Sequence, residues 1–234
     1  MGAGVMGSPI EHSLTPVMHR AAWEALGVVG WEYRRIEHDE ASLPEFISGL
    51  DKSFRGLSVT MPCKQAIIPL LDAIDPLATA VGDVNTVVPS FGVLAGFNTD
   101  VTGIASAIRR ACSQADRALP TSAVVLGARA TASSALAALG ELDIVTSTVA
   151  ARRFGGPGSV VAASSRLGVS IEQVLWSDRG AVLRAVSGAD LVISTLPAGV
   201  ADSLAEEMTV REGQVLLDVV YSPRETALRS AFER

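Results

Sequence analysis

The run AVVLGARATASSAL (residues 123–136) passes from an unbroken apolar stretch, through one glycine, into residues that favour helix. Short continuous apolar runs mark strands buried on both faces, as in a parallel sheet. The tract after the turn predicts a helix over 131–139. The same alternation continues downstream. A strand is expected over 147–150, a loop over 155–158 and a helix over 159–167. Strand 171–176, helix 179–186, strand 189–197, helix 201–208 and strand 214–220 complete the rhythm. This is a doubly wound nucleotide-binding pattern, in which the ligand lies beyond the carboxyl ends of the strands.

The turn itself is sparing with glycine. Gly127 supplies the tight bend, but Arg129 and Ala130 each bring a Cβ where bare backbone would come closest to a pyrophosphate. The helix start still offers free N–H groups and the positive end of a dipole, and Arg129 adds a cation beside it. The end of the second strand selects the cofactor. An acidic residue there binds a ribose 2′-hydroxyl, whereas Arg accommodates a 2′-phosphate. This chain has Ala151-Arg152-Arg153, which favours NADPH. Gly2, Gly4 and Gly7 also match G-x-G-x-x-G, but no strand precedes them and no βα turn follows, so that match is rejected.

The first half alternates strand and helix as well. A short strand is expected over 3–7. Thr15 is placed as the N-cap of a helix with Pro16 at its first position and Gly27 at its end. Val17, Met18, Ala21, Ala22, Ala25 and Leu26 keep a helical period within it. WEYRRIEH (residues 31–38) alternates as an outer strand should. A helix over 43–50, a buried strand over 56–61 and a helix over 65–74 follow. Residues 84–89 and 92–99 read as a hairpin around Ser90-Phe91. Helix 102–111 leads to the polar stretch 112–121, where the domain boundary is set. The expected fold class is therefore α/β. A mixed α/β domain over 1–111 precedes a Rossmann-like domain over 112–234.

Composition narrows the partners. The chain has 234 residues, 48% hydrophobic and 19% charged, with a net charge of −6. No basic run exists beyond the pairs Arg34-Arg35, Arg109-Arg110 and Arg152-Arg153, so nucleic acid is not the expected partner. Cys63 and Cys112 form no CxxC, and His12, His19 and His38 show no ligand spacing, so no metal is expected. No apolar run reaches the ~18 residues of a membrane span. The expectation is a cytoplasmic protein with reduced thiols, a small-molecule substrate and no membrane partner, as a monomer or homodimer.

Four polar words interrupt the apolar first half: HSLTP (12–16), SVTMPCK (58–64), VNT (84–86) and GFNTD (96–100). They hold two ionisable groups of opposite sign, Lys64 and Asp100, among the short neutral side chains Ser13, Thr15, Thr60, Asn85 and Asn98. Each word stands at a strand end or a helix start. Such a set suits a small, neutral, many-hydroxyl ligand, with a Lys/Asp pair to move a proton.

These words, with DVVYSPRETAL (218–228), resemble the shikimate dehydrogenases in order and spacing over nearly the whole chain. The resemblance implies an NADP(H)-dependent enzyme of aromatic amino-acid biosynthesis that interconverts 3-dehydroshikimate and shikimate in a cleft between its two domains. It implies Lys64 and Asp100 as the catalytic pair. It implies Ser13, Thr15, Ser58, Thr60, Asn85 and Tyr221 as substrate-binding residues. For the cofactor it implies Gly127, Ala128, Arg129, Ala130, Arg152, Arg153, Thr195 and Val219. The chain departs from the family's pattern in several places. Thr15 replaces a Ser, as in the quinate/shikimate dehydrogenases. Ser58 stands where Asn is common, and Arg129-Ala130 where Gly-Gly is usual. The Asn and Thr flanking the family's adenosine-binding Arg are not kept around Arg152. The family's C-terminal return helices, one bearing a substrate-binding Gln, are absent from this sequence. Two alternatives remain: an NAD-dependent quinate/shikimate dehydrogenase, for which Thr15 speaks, and a non-catalytic small-molecule or nucleotide sensor, for which Arg129-Ala130 speaks.

Overall fold

The computed structural model of the protein describes residues 1–50, 52–144, 146–156 and 158–234; Pro157 of the expected loop 155–158 lies outside them. The chain forms two compact units, residues 1–99 and 100–234. The division falls after Thr99, not after residue 111 as the polar stretch 112–121 suggests. The helix that follows Thr99 buries Val101, Ile104, Ala105, Ile108 and Cys112 and packs within the second unit.

The first unit begins with strand β1 (Gly2–Gly7), helix α1 (Thr15–Ala25) and strand β2 (Glu32–Glu37). Helix α2 (Leu43–Ser48), strand β3 (Phe54–Val59) and helix α3 (Cys63–Ala66) follow. A two-residue strand β4 (Ala73–Ile74), helix α4 (Pro76–Val81), and the hairpin of β5 (Thr86–Ser90) and β6 (Val93–Phe97) complete it. The sheet order is β2-β1-β3-β5-β6-β4, parallel except where β5 meets β3 and β6. The hairpin turns on Phe91 and Gly92, both at positive φ, one residue later than Ser90-Phe91. Paired positive φ values match the twist of the flanking strands.

Three local expectations are corrected. The helix expected over 65–74 stops at Ala66 and gives way to a 3-10 turn, Ile68–Leu70, then to β4. Pro69 within that span has no N–H to donate and its ring crowds the preceding turn, so the helix cannot run through it. Thr15 is not a cap: Leu14 is the N-cap residue of α1, without a side-chain bond, and Thr15 is the first helical residue. The face of α1 also differs. Val17, Met18 and Leu26 are exposed, whereas Pro16 is buried and His19 and Trp23 pack on Tyr33 of β2. Aromatic stacking on Tyr33 sets the rotation of the helix, and the aliphatic stripe points outward.

The second unit opens with helix α5 (Asp100–Gln114), strand β7 (Ser122–Leu126), helix α6 (Ala130–Glu141) and strand β8 (Thr146–Ala151). It continues through α7 (Val160–Leu167), β9 (Glu172–Leu175), α8 (Arg179–Gly188) and β10 (Leu191–Ser194). It ends with α9 (Asp202–Glu207), β11 (Val215–Asp218) and α10 (Ala227–Phe232). All neighbouring strands are parallel, in the order β11-β10-β7-β8-β9. That is the strand order of a Rossmann-type unit, with its switch point between β7 and β10. Helix α10 lies beyond the last expected element. Thr226 caps it, and its Oγ1 donates to Asp218 Oδ2 at 2.7 Å, so Leu228 and Ala231 join the core under α9.

The rejected glycine motif is an ordinary strand with close approaches at Gly4, to Ile36 of β2, and at Gly7. A Cβ on Gly7 would lie 2.5 Å from Thr60 Cγ2 and 2.6 Å from the Met61 carbonyl oxygen. We expect Gly7→Ala to destabilise the protein by about 1–3 kcal/mol, the usual range for overpacking. Gly140→Ala in α6, where a Cβ meets nothing within 4 Å, should stabilise by about 0.5–1 kcal/mol. Urea denaturation of the two variants checks both signs.

Candidate active site

Three of the polar words, SVTMPCK, VNT and the FNT of GFNTD, meet because hydrogen bonds lock the end of α4 and the two strand ends together; HSLTP is held separately, against Arg35 of β2. Asp75 caps α4 by accepting from the Leu77 and Ala78 amides, and Gly82 ends it in the left-handed region. Asp83 and Val84 then enter the interior, and the Val84 amide donates to the Lys64 carbonyl at 3.1 Å. Asn85 is the junction. Its backbone joins β3 to β6, with Val59 N donating to its carbonyl and its own amide donating to Phe97 O. Its Oδ1 accepts from Thr86 Oγ1 (2.9 Å), Thr99 N (3.0 Å) and Thr99 Oγ1 (3.1 Å). Asn98 Nδ2 donates to the Asp83 carbonyl at 3.1 Å. Asn85, Asn98 and Asp83 are all buried, and these bonds compensate the desolvation of the Asn85 and Asn98 side chains.

Lys64 is the second residue of α3, and its Nζ lies 3.7 Å from Asp83 Oδ2. The neighbouring Cys63 is buried and donates to the His38 carbonyl at 3.2 Å. Burial, with Glu40 and Asp39 nearby, pushes its thiol up to about 11, so it is an inert thiol rather than a nucleophile. Ser13 is buried; its hydroxyl donates to Thr15 Oγ1 at 3.1 Å, and Arg35 donates to its carbonyl. Thr60 stands at the β1–β3 approach, its amide donating to Met6 O. Ser58 pairs with Tyr33 through a 2.6 Å hydroxyl–hydroxyl bond. Burial raises the Tyr33 hydroxyl above the usual tyrosine value, and the Ser58 bond partly opposes this.

The second unit carries a cavity of about 670 Å³, lined by residues that follow β7, β8, β9 and β10. Gly127, Ala128, Arg129, Arg152, Arg153 and Thr195, all expected from the sequence, lie in its wall. Ala130 and Val219 do not. Ala130 begins α6 behind the turn, and Val219 continues past β11 with its amide on Ser194 O. Tyr221, on the second unit, is 47% exposed. Ala151, Trp176, Leu196, Pro197 and Val200 complete the wall and were not anticipated. Trp176 has a sequence signal, an aromatic at a parallel strand's end; the others owe their place to packing alone.

The cavity fits an anionic dinucleotide. Gly127 has φ 115°, and a Cβ there would run into Thr195 Oγ1. Thr195 is itself held, its N and Oγ1 both donating to Leu126 O at 2.9 Å. The start of α6 opens on this turn, and the first-turn amides of a helix have no partners within it. Among the described residues, three arginines and no carboxylate line the wall, the arrangement that suits a 2′-phosphate.

Comparisons with known proteins agree. A sequence model described as the shikimate dehydrogenase substrate binding domain matches residues 5–87. A shikimate dehydrogenase (NADP(+)) of Geobacter sp. is 37% identical over 235 residues, covering 98% of this chain and 80% of that protein. The corresponding protein of Halothermothrix orenii is 34% identical over 236 residues, 97% of this chain and 80% of its own. The crystal structure of Mycobacterium tuberculosis shikimate dehydrogenase superposes with a TM-score of 0.87 at 37% identity, over 99% of this chain and 85% of that one. The Thermus thermophilus shikimate 5-dehydrogenase, solved with NADP(H) and shikimate, gives 0.80 at 30% identity, over 99% and 83%.

Gly127→Ala tests the cradle. Forcing a side chain into this backbone region costs about 1–3 kcal/mol, and the Cβ displaces Thr195. We expect NADPH affinity, read by nucleotide fluorescence, to fall by about tenfold or more.

Proposed function

We propose that this chain, which belongs to the shikimate dehydrogenase family and is an NADP-dependent oxidoreductase acting on shikimate, moves its proton with Lys64 and Asp100. The observation that carries the reading is the junction at Asn85. It gathers the VNT and FNT words beside Lys64 at the strand ends of one sheet. Asp100 follows Thr99 directly, at the first position of α5.

Reduction of the ketone of 3-dehydroshikimate needs a hydride, which bound NADPH supplies, and a proton. Lys64 donates that proton to the oxygen, and its charge stabilises the alkoxide as it develops. In the reverse direction the neutral amine takes the proton from the hydroxyl. Asp100 accepts a hydrogen bond from a ring hydroxyl and so orients the ring. Ser13 and Thr15, whose hydroxyls are already bonded to each other, receive the substrate carboxylate as a preset pair. Thr60 and Asn85 bind the remaining hydroxyls. Ser58 acts differently from the Asn it replaces: its hydroxyl is engaged by Tyr33, which shapes the pocket wall. For the cofactor, Gly127 admits the pyrophosphate, and Arg152, with Arg129 and Arg153, meets the phosphates. The arginine-only charge of the wall supports NADP over NAD. The two buried free thiols, Cys63 and Cys112, support a cytoplasmic address.

Two substitutions test these roles. Lys64→Ala should lower kcat by about 10²–10⁴-fold while NADPH binding, measured calorimetrically, stays at the parent value. Loss of nucleotide affinity instead of turnover would contradict the assignment. Arg152→Ala should weaken NADP binding by a charged hydrogen bond, about 1.5–3 kcal/mol, and leave NAD almost unaffected. Equal losses for the two nucleotides, read as Kd by titration, would remove Arg152 from the 2′-phosphate site.

A further inference from the structure

Asp83 is a buried charge that the roles above leave unused. Its side chain is 0% exposed, and that of Lys64 is 13% exposed. The placement is fixed by the main chain. Gly82 turns the chain at the end of α4, and the Asp83 amide returns to the Ala78 carbonyl at 3.2 Å. Asn98 holds the Asp83 carbonyl, and Val84 holds the Lys64 carbonyl. Backbone bonds therefore set the two charged residues against each other before their charges act. Around them lie Val84, Ile67, Ala78 and Cys63, all part of one apolar cluster. An apolar side chain at 83 would suit that cluster at lower desolvation cost than a carboxylate. A carboxylate in this place has one evident effect: it favours the ammonium form of the lysine 3.7 Å away.

We propose that Asp83 is a positioning residue for Lys64, fixing where Nζ sits and holding it as the ammonium, so that it meets the ketone as an acid. The proposal rests on Lys64 being the proton-transfer group. In reduction an N–H bond of the ammonium breaks as the O–H bond of the product alcohol forms. The resulting amine then recovers a proton from solvent, a step the Asp83 carboxylate favours. In oxidation Lys64 must first be neutral, which Asp83 opposes. The other charged or titratable groups on the adjoining elements are Asp39 and Glu40, which with burial push the Cys63 thiol up to about 11, His38, whose carbonyl accepts from Cys63, the α4 cap Asp75 and Asp100 at the start of α5; the Asp83 substitution leaves all of them in place, and Asn85, Asn98 and Thr99 are neutral.

The test is a double-mutant cycle on the whole chain with NADP(H): Asp83→Asn, Lys64→Ala and the two together. We expect Asp83→Asn to lower kcat for reduction by about tenfold, the factor carried by one unit of misplaced pKa. KM for 3-dehydroshikimate should change by less than about threefold. The limb along which kcat for shikimate oxidation rises with pH, as Lys64 becomes neutral, should move to lower pH by about one to three units, the range for losing an opposite charge at this distance. With Ala at 64, the Asp83 change should cost almost nothing further, because the two act as one unit. An unmoved limb, or the same loss in both backgrounds, overturns the proposal. A fully active Lys64→Ala would bring down the lysine's own role and this proposal together; a crippled Lys64→Ala with an unmoved Asp83→Asn limb brings down this one alone. Should Asp83→Asn fail to fold, Asp83→Ala, which adds no atoms, carries the same comparison.

Discussion

Three donors on one oxygen, Asn85 Oδ1, organise the first unit's chemistry. A neutral hydrogen bond contributes only about 0.5–1.5 kcal/mol net, but an unsatisfied buried group costs more. Asn85 is buried, so any shift of β5 against the β6–α5 connection would strand its oxygen away from water. The bonds therefore act as a register lock. With β5 and β6 fixed, the chain between α4 and β5 has one course to follow. It carries Asp83 and Val84 to Lys64, and Asn98 closes the arrangement from the other side.

The second unit reaches its binding geometry by a different constraint. Here the critical contact is steric. The backbone of Gly127 passes so close to Thr195 that no side chain fits, and Thr195 is tied to β7 by two bonds to the Leu126 carbonyl. The β7–α6 turn and the end of β10 are thereby pinned together at the switch point of the sheet, where a parallel sheet opens a crevice. Three arginines give the cavity wall its charge, and Trp176, Leu196 and Pro197 give it apolar surface. One unit is thus built by hydrogen-bond closure around neutral groups, suited to a hydroxylated ring. The other is built by close backbone approach beneath cations, suited to phosphates.

Specific residues mark how far the chain could be read unaided. The βα rhythm after residue 122 was legible because its central strands, β7 and β10, are continuous apolar runs buried on both faces. The short α3 was missed because the apolar residues around Pro69 keep a helical period that the proline forbids. The orientation of α1 was missed because periodicity shows that a stripe exists, not which of two stripes finds a partner. Tyr33 and the β1–β2 surface took the side bearing Pro16, His19 and Trp23.

By itself the sequence determined the two βα systems, the rejection of the N-terminal glycine motif, the turn at Gly127, the cationic end of β8 and the polar words around Lys64. All of these depend on residues near one another along the chain, where period, turn chemistry and charge type act locally. Only the tertiary structure decided that Asp83 faces Lys64, that Ser58 is taken by Tyr33, that Ala130 and Val219 stand outside the nucleotide cavity and that Trp176 and Leu196 line it. These facts join segments far apart in sequence. Their physical reason is packing: which distant surfaces meet is set by the burial of the whole sheet and the satisfaction of its buried polar groups, and no local pattern encodes that choice.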